Sequence, residues 1–158
     1  LPGQTMDDLV NDILFMKDLD IDMVGMGPYI PHRDTPMGKQ IPAYTEEQKQ
    51  AALTLGLKMI AVTRIVLKDV NIASTTALQA LEHSGREMGL KCGANVIMPN
   101  VTETEYRSSY VLYDNKPCLD ENSSMCRGCL TRRIQSIGET IGFNLWGDSK
   151  HYTKRTEK

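Results

Sequence analysis

The sequence predicts an α/β fold of parallel strands joined by helical crossovers, and three observations carry that expectation. Short apolar segments recur at residues 21–26, 70–74 and 94–98. Stretches with helical spacing of apolar residues and with capping signals lie between them. Each apolar segment is left through a breaker or a cap: Gly27-Pro28, Thr75-Thr76 and Pro99-Asn100. Parallel neighbours need such crossovers, so the alternation argues for a parallel sheet. Two architectures satisfy it. One is a small doubly wound sheet. The other is the C-terminal portion of a (β/α)8 TIM-type barrel, about three parallel strands with their helices. Three strands cannot close a barrel, and an open sheet leaves an edge wet.

The elements follow in order. The chain opens on Leu1-Pro2-Gly3-Gln4-Thr5, a turn leading straight into a helix, so a strand is expected upstream. Thr5 suits an N-cap, and Asp7 and Asp8 suit the first turn of a helix over 6–18. The segment 21–26 reads as a buried strand. Residues 28–42 hold four prolines and read as a long loop with a functional role. Thr45 and Gln48 form a capping box that opens a helix over 46–67. Residues 70–74 are the second strand, 77–90 a helix weakened at Ser84-Gly85, and 94–98 the third strand, with Gly93 as the stop before it. Thr102 is expected to cap a short helix through about 109. Residues 125–142 read as a last helix, and 146–158 as a frayed polar tail. Two domains follow: 1–110 as the barrel portion, and 111–158 as a cysteine-containing helical extension with its tail.

Composition narrows the function classes. The 158 residues are 41% hydrophobic and 24% charged, with a net charge of −2. No clustered basic face of the kind nucleic acid needs is present, and no apolar run approaches the ~18 residues of a membrane span. No signal peptide opens the chain, so a cytoplasmic location is the default. There, four cysteines with a Cys-x2-Cys pair point to metal or redox chemistry rather than to a disulfide framework.

In parallel barrels ligands bind at the C-terminal strand ends. The first strand would deliver Met23, Met26 and Pro28, the second Thr75 and Thr76, the third Met98, Pro99 and Asn100. This set has thioethers, hydroxyls and one amide, but no acid, base or nucleophile. It could enclose a radical or a soft metal ligand. The competing reading of the methionines is core filling, and Thr76 could simply cap the next helix. Cys118-x7-Cys126-x2-Cys129 is the most specific chemical signal. Three thiolates, two of them one helical turn apart, can hold an iron–sulfur cluster with one iron open. A dithiol pair, a zinc site and inert cysteines remain alternatives. Cys92 reads as buried and unreactive. His32 reads as a loop residue with polar contacts, or else as a gate. His151 lies in the tail, and His83 carries no assigned role.

At these residues the chain resembles the HydE family of radical S-adenosylmethionine (SAM) enzymes, FeFe-hydrogenase maturases of the biotin synthase-like superfamily. The likeness lies in Leu1-Pro2-Gly3-Gln4-Thr5, in the run Asp22 to His32, in Asp34-Thr35-Pro36, in Ala73-Ser74-Thr75-Thr76-Ala77, in Gly93 to Asn100, and in the cysteine spacing. The motifs stand in family order and cover the chain to about Gly142.

The resemblance implies a barrel enzyme whose 4Fe-4S cluster cleaves SAM reductively to a 5′-deoxyadenosyl radical. Its substrate is a small molecule or an iron–cysteine complex, and other hydrogenase maturases are possible partners. Carried over, Met23 and Pro28 line the SAM pocket. Thr75, Thr76, Met98 and Tyr110 line the substrate cavity. Cys118, Cys126 and Cys129 hold an auxiliary cluster. One departure matters: the family's Cys-x3-Cys-x2-Cys loop does not occur in these 158 residues. The chain alone is therefore expected not to make the radical. Biotin synthase, a methylornithine-forming enzyme, and a small iron–sulfur or zinc module are the rival assignments.

Overall fold

The computed structural model describes residues 1–110 and 123–157, apart from the side chains of Tyr110 and Ser123. Helix α1 (Met6–Asp18) begins where expected. Thr5 and Asp8 exchange the two bonds of a capping box, and the Thr5 amide and hydroxyl hold the Asp8 carboxyl below its usual range. Strand β1 (Met23–Met26) follows. The proline-rich loop is less irregular than expected, because it contains a short helix α2 (Pro36–Gln40). Thr35 caps it and Pro36 enters its first turn, where a missing N–H costs nothing.

Helix α3 (Glu46–Leu67) is the crossover to β2 (Asn71–Ser74). The two strands pair in parallel, with Met23 opposite Asn71 and Met26 opposite Ser74. Val24, Leu53, Ile60, Val70, Ile72, Leu78 and Ala94 form the core between the sheet and its helices. One sequence expectation needs correcting here. The 22-residue α3 holds an 18-residue stretch of mean hydropathy 1.5, long and apolar enough to cross a membrane by length and composition. Exposed Ala51, Leu55, Val62 and Ile65 keep that average high, while Leu53, Ile60 and Thr63 pack into the protein.

The helix expected over 77–90 is two helices, α4 (Thr76–Leu81) and α5 (Gly85–Lys91). The chain folds back so tightly between them that a Cβ on Gly85 would lie 2.1 Å from Leu78 O. Gly93, at φ +119°, then reverses the chain. The third apolar segment joins the sheet through one parallel bridge, Ala73 to Val96. It is shorter than expected for two reasons. The Asn95 side chain takes the Ile72 N–H at 2.8 Å, a bond a strand backbone would otherwise accept, and Pro99 has no N–H to offer. Sheet order is therefore β1, β2, third segment: three neighbouring parallel staves, with no closed barrel among the described residues.

Beyond them, α6 (Thr104–Arg107) is a single turn, followed by a 3₁₀ turn (Ser108–Tyr110). Its cap position is Glu103 rather than Thr102. Helix α7 (Ser123–Ser136) stops short of residue 142, since Gly138 turns the chain at φ +82°. The tail is not frayed. Ser149 caps α8 (Lys150–Thr156), which lies against the loops that lead into β1 and β2. The predicted boundary at 110/111 falls at the edge of the described residues.

Candidate functional site

Side chains alternate across a strand, so the register sorts the residues by face. Val24, Met26, Ile72 and Ser74 face the helices. The Met26 sulfur lies 3.8 Å from the Thr63 hydroxyl of α3, and Ser74 Oγ donates to Arg86 O at 2.8 Å. Met23, Gly25 and Gly27 share the opposite face with Asn71, Ala73 and Thr75, and with Val96 and Met98. That face is exposed toward its ends, with Met23 46% and Met98 58% accessible, and closed at its centre, where Ala73 is 0%.

Thr75 and Met98 stand level at the C-terminal tips. Each lies two residues beyond the Ala73–Val96 bridge. Gly27 meets Thr75, for a Cβ there would lie 2.5 Å from Thr75 Oγ1. Thr75 occupies the cap position of α4 without making a cap bond, and its hydroxyl oxygen is buried with no partner. A buried hydroxyl without a partner costs about 1–3 kcal/mol.

Other expected members lie elsewhere. Met23 is the first residue of β1, not a tip residue. It sits on the same face as Thr75 but four rungs away, roughly 13 Å at the usual strand rise. The expected strand 21–26 begins two residues late because Ile21 and Asp22 belong to the turn after α1. Pro28 packs toward α3, where a Cβ on Gly56 would meet its Cδ at 3.3 Å. Thr76 is the first residue of α4. The shared hollow expected for Met23, Thr75 and Met98 is thus a sheet face with Met23 at its far end. The tips on that face bring together Thr75 and Gly27, with Met98 two residues beyond the bridge of the third segment. Sequence reasoning missed Gly27, although Met23, Gly25 and Gly27 at period two are the mark of a strand face kept low. The Tyr110 side chain and Cys118 lie outside the described residues.

The N-terminal strand ends are built differently. Arg64 of α3 donates to Gly93 O at 2.8 Å, Val70 O at 2.7 Å, Lys68 O, and Asn95 Oδ1 at 3.0 Å. Burial lowers its pKa, and the nearby Asp69 carboxylate pulls the other way. A guanidinium stays charged in either case. Asn95 Nδ2 donates to Asn71 Oδ1, and Asn71 Nδ2 to Gly147 O, both at 2.9 Å. Helix α8 adds His151 to Asp20 at 2.7 Å, Lys154 to Asp69, and Arg155 to Asp22. His151, expected in a loose tail, is one of these anchors. The Lys154 ammonium holds the Asp69 carboxyl below its usual range, with Lys150 and Arg64 adding to the effect.

The cysteine region lies on α7. Cys126 is 1% exposed and its Sγ accepts from Asn100 N at 3.4 Å, while Cys129 is half-buried one turn on. Arg133 anchors this helix to α5 through Glu87 and His83 O. Burial pushes the Glu87 carboxyl up, but the Arg133 bond, the Glu87 backbone N–H and the Arg133 and Arg86 charges together outweigh it, and the net shift is downward. Among the described residues no three His, Cys, Asp or Glu side chains gather closely enough to hold a metal. Cys126 and Cys129 lie one turn apart on α7, and Cys118, the third cysteine of the expected cluster set, lies outside the described residues. A groove of about 940 Å3 runs beside α7, lined by Val96, Ile97, Leu130, Ile134 and Phe143. It takes in neither Thr75 nor Met98.

No protein-family model matches the chain. A curated protein does: the FeFe hydrogenase maturase subunit HydE of Thermotoga maritima is 49% identical over 150 residues, 95% of this chain. Over nearly all its length, the chain is a relative of HydE. It spans about 40% of the length of that HydE. Three adjacent parallel staves with helical crossovers make a partial α/β unit.

Proposed function

We propose that this chain forms the strand-tip side of the reaction chamber in a HydE-type radical SAM enzyme that matures FeFe hydrogenase. The observation that carries the proposal is the 49% identity to HydE across 95% of the chain. The meeting of Thr75 and Gly27 at the tip end of the sheet, with Met98 exposed beyond the third segment's bridge, supports it. In this reading Thr75 offers its unpaired hydroxyl to the substrate, and Met98 a soft thioether wall. Thr76 and Tyr110 border the same cavity. Met23 lines the face more deeply, and Pro28 holds the loop that borders the SAM pocket. Cys118, Cys126 and Cys129 hold an auxiliary iron–sulfur cluster. SAM and a 4Fe-4S cluster supply the radical when bound. The substrate is a small molecule or an iron–cysteine complex, the partners are other maturases, and the setting is the cytoplasm.

The 158 residues contain no Cys-x3-Cys-x2-Cys loop, so they do not fit the radical-forming cluster by themselves. After anaerobic treatment with iron, sulfide, reductant and SAM, the chain alone is expected to release no 5′-deoxyadenosine above background. Combined with a HydE segment that bears the three-cysteine loop, it is expected to release it. Release by the chain alone, or none by the combination once it binds four irons, would overturn the reading. A second reading, a small metal module, draws on Cys126 and Cys129 sharing one turn of α7. Stoichiometric zinc with no iron in the purified chain would favour it.

A further inference from the structure

The turn after the third strand segment has no ladder to hold it, and side chains take up its backbone groups instead. Asn100 N donates to Cys126 Sγ at 3.4 Å, and Thr102 N donates to Asn100 Oδ1 at 3.1 Å. From the other side Arg107 donates through Nε to Thr102 O at 2.7 Å and through Nη2 to Asn100 O at 3.3 Å. Arg107 and Cys126 are each 1% exposed. Burying a guanidinium is costly unless its donors are used. Its place at this turn therefore commits the turn to one shape. Sulfur is a weak acceptor, yet without it the part-buried Asn100 N–H would lose the partner it has here. Met98 lies two residues before Asn100, joined to it by the rigid Pro99.

We propose that Cys126, together with Arg107, is a positioning residue for Met98: its sulfur pins the Asn100 turn, so a change of partner at that sulfur is felt at the strand tip. Metal ligation at α7 would then be coupled to the tip end of the sheet. The meaning for catalysis rests on the chamber reading above, whereas the mechanical link does not.

The test uses the 158-residue chain, amide exchange at Asn100 and the methyl resonance of Met98. Cys126→Val keeps bulk and removes the acceptor. Cys126→Ser keeps an acceptor and loses bulk. The pin predicts that Val raises exchange at Asn100 about three- to tenfold, the worth of one hydrogen bond, and moves the Met98 signal. Ser should leave both near wild type, and Cys129→Val, one turn along, should leave both unchanged. If Cys126→Val does not fold, Cys126→Ala serves the same comparison. Equal effects of Ser and Val, or none from Val, would reduce Cys126 to packing and overturn the proposal. Deoxyadenosine release does not enter these measurements, so failure of the pin and failure of the chamber reading remain distinguishable.

Discussion

The two ends of the sheet are built on opposite principles. At the strand starts, most polar groups are bonded: Arg64 serves three carbonyls and the Asn95 amide, Asn71 and Asn95 bond each other, and α8 adds the Lys154–Asp69 and Arg155–Asp22 ion pairs and a hydrogen bond between His151 and Asp20, while Asp22 Oδ1 stays buried without a partner. At the tips, a buried hydroxyl has no partner, a glycine leaves the space a Cβ would fill, and Met98 stands exposed. One end is densely cross-bonded, with Asp22 Oδ1 left over, and the other has few such bonds. In parallel α/β proteins the first end supports stability and the second meets ligands. The polar accounting separates them here without any ligand in view.

The largest expected effect breaks the cross-bonded end. Arg64→Met keeps the stem and deletes every donor, leaving buried carbonyls unpaired. A loss of about 3 kcal/mol is expected in chemical denaturation, at the upper end for a single substitution. A loss under about 1 kcal/mol would mean that water replaces the guanidinium and that this end is not the more tightly held one. A smaller effect sharpens the tip. Gly27→Ala drives a methyl onto Thr75 Oγ1 and should cost about 1–3 kcal/mol. Thr75→Ala, which removes an unpartnered oxygen, should be close to neutral. The double variant should recover most of the Gly27→Ala loss. Additive losses would show that the two positions do not touch.

The same contrast explains what could be read from the sequence. Helices α1 and α3 were legible to the residue, because Thr5 with Asp8 and Thr45 with Gln48 announce their starts locally. The parallel pairing followed from the alternation of elements. The tips were half legible. Threonines after a strand point to a strand end, but the facing of Met23, Pro28 and Thr76 depends on where β1 and α4 begin, and one residue reverses it. The cross-bonded end was hidden. Arg64 is one basic residue on a helix, and nothing near it in sequence marks Gly93 or Asn95 as partners. The docking of α8 was hidden for the same reason: its partners Asp20, Asp22 and Asp69 lie more than eighty residues away. The split between α4 and α5 was only hinted at by Ser84-Gly85.

The smallest expected effect concerns how the two C-terminal helices are held. The Lys154–Asp69 and Arg155–Asp22 pairs are partly exposed, with side chains 32% to 68% accessible, so each is weak and is screened by salt. The Arg133–Glu87 pair on α7 is 14% and 12% accessible and should resist salt. Both carboxyls have folded pKa values below their ordinary ones. Each therefore stabilises fully above its ordinary value, and the contribution is lost as pH falls through the depressed value. Acid should loosen both helices. At neutral pH, raising salt from 0.05 to about 1 M should speed amide exchange in α8 and leave α7 unchanged, since the screening length shrinks to about 3 Å. Lys154→Ala should remove most of the salt response of α8. If α7 and α8 respond alike, accessibility does not set the strength of these pairs, and α8 is held by its backbone contact from His151 N to Asp69 O and by Asn71 to Gly147 O instead.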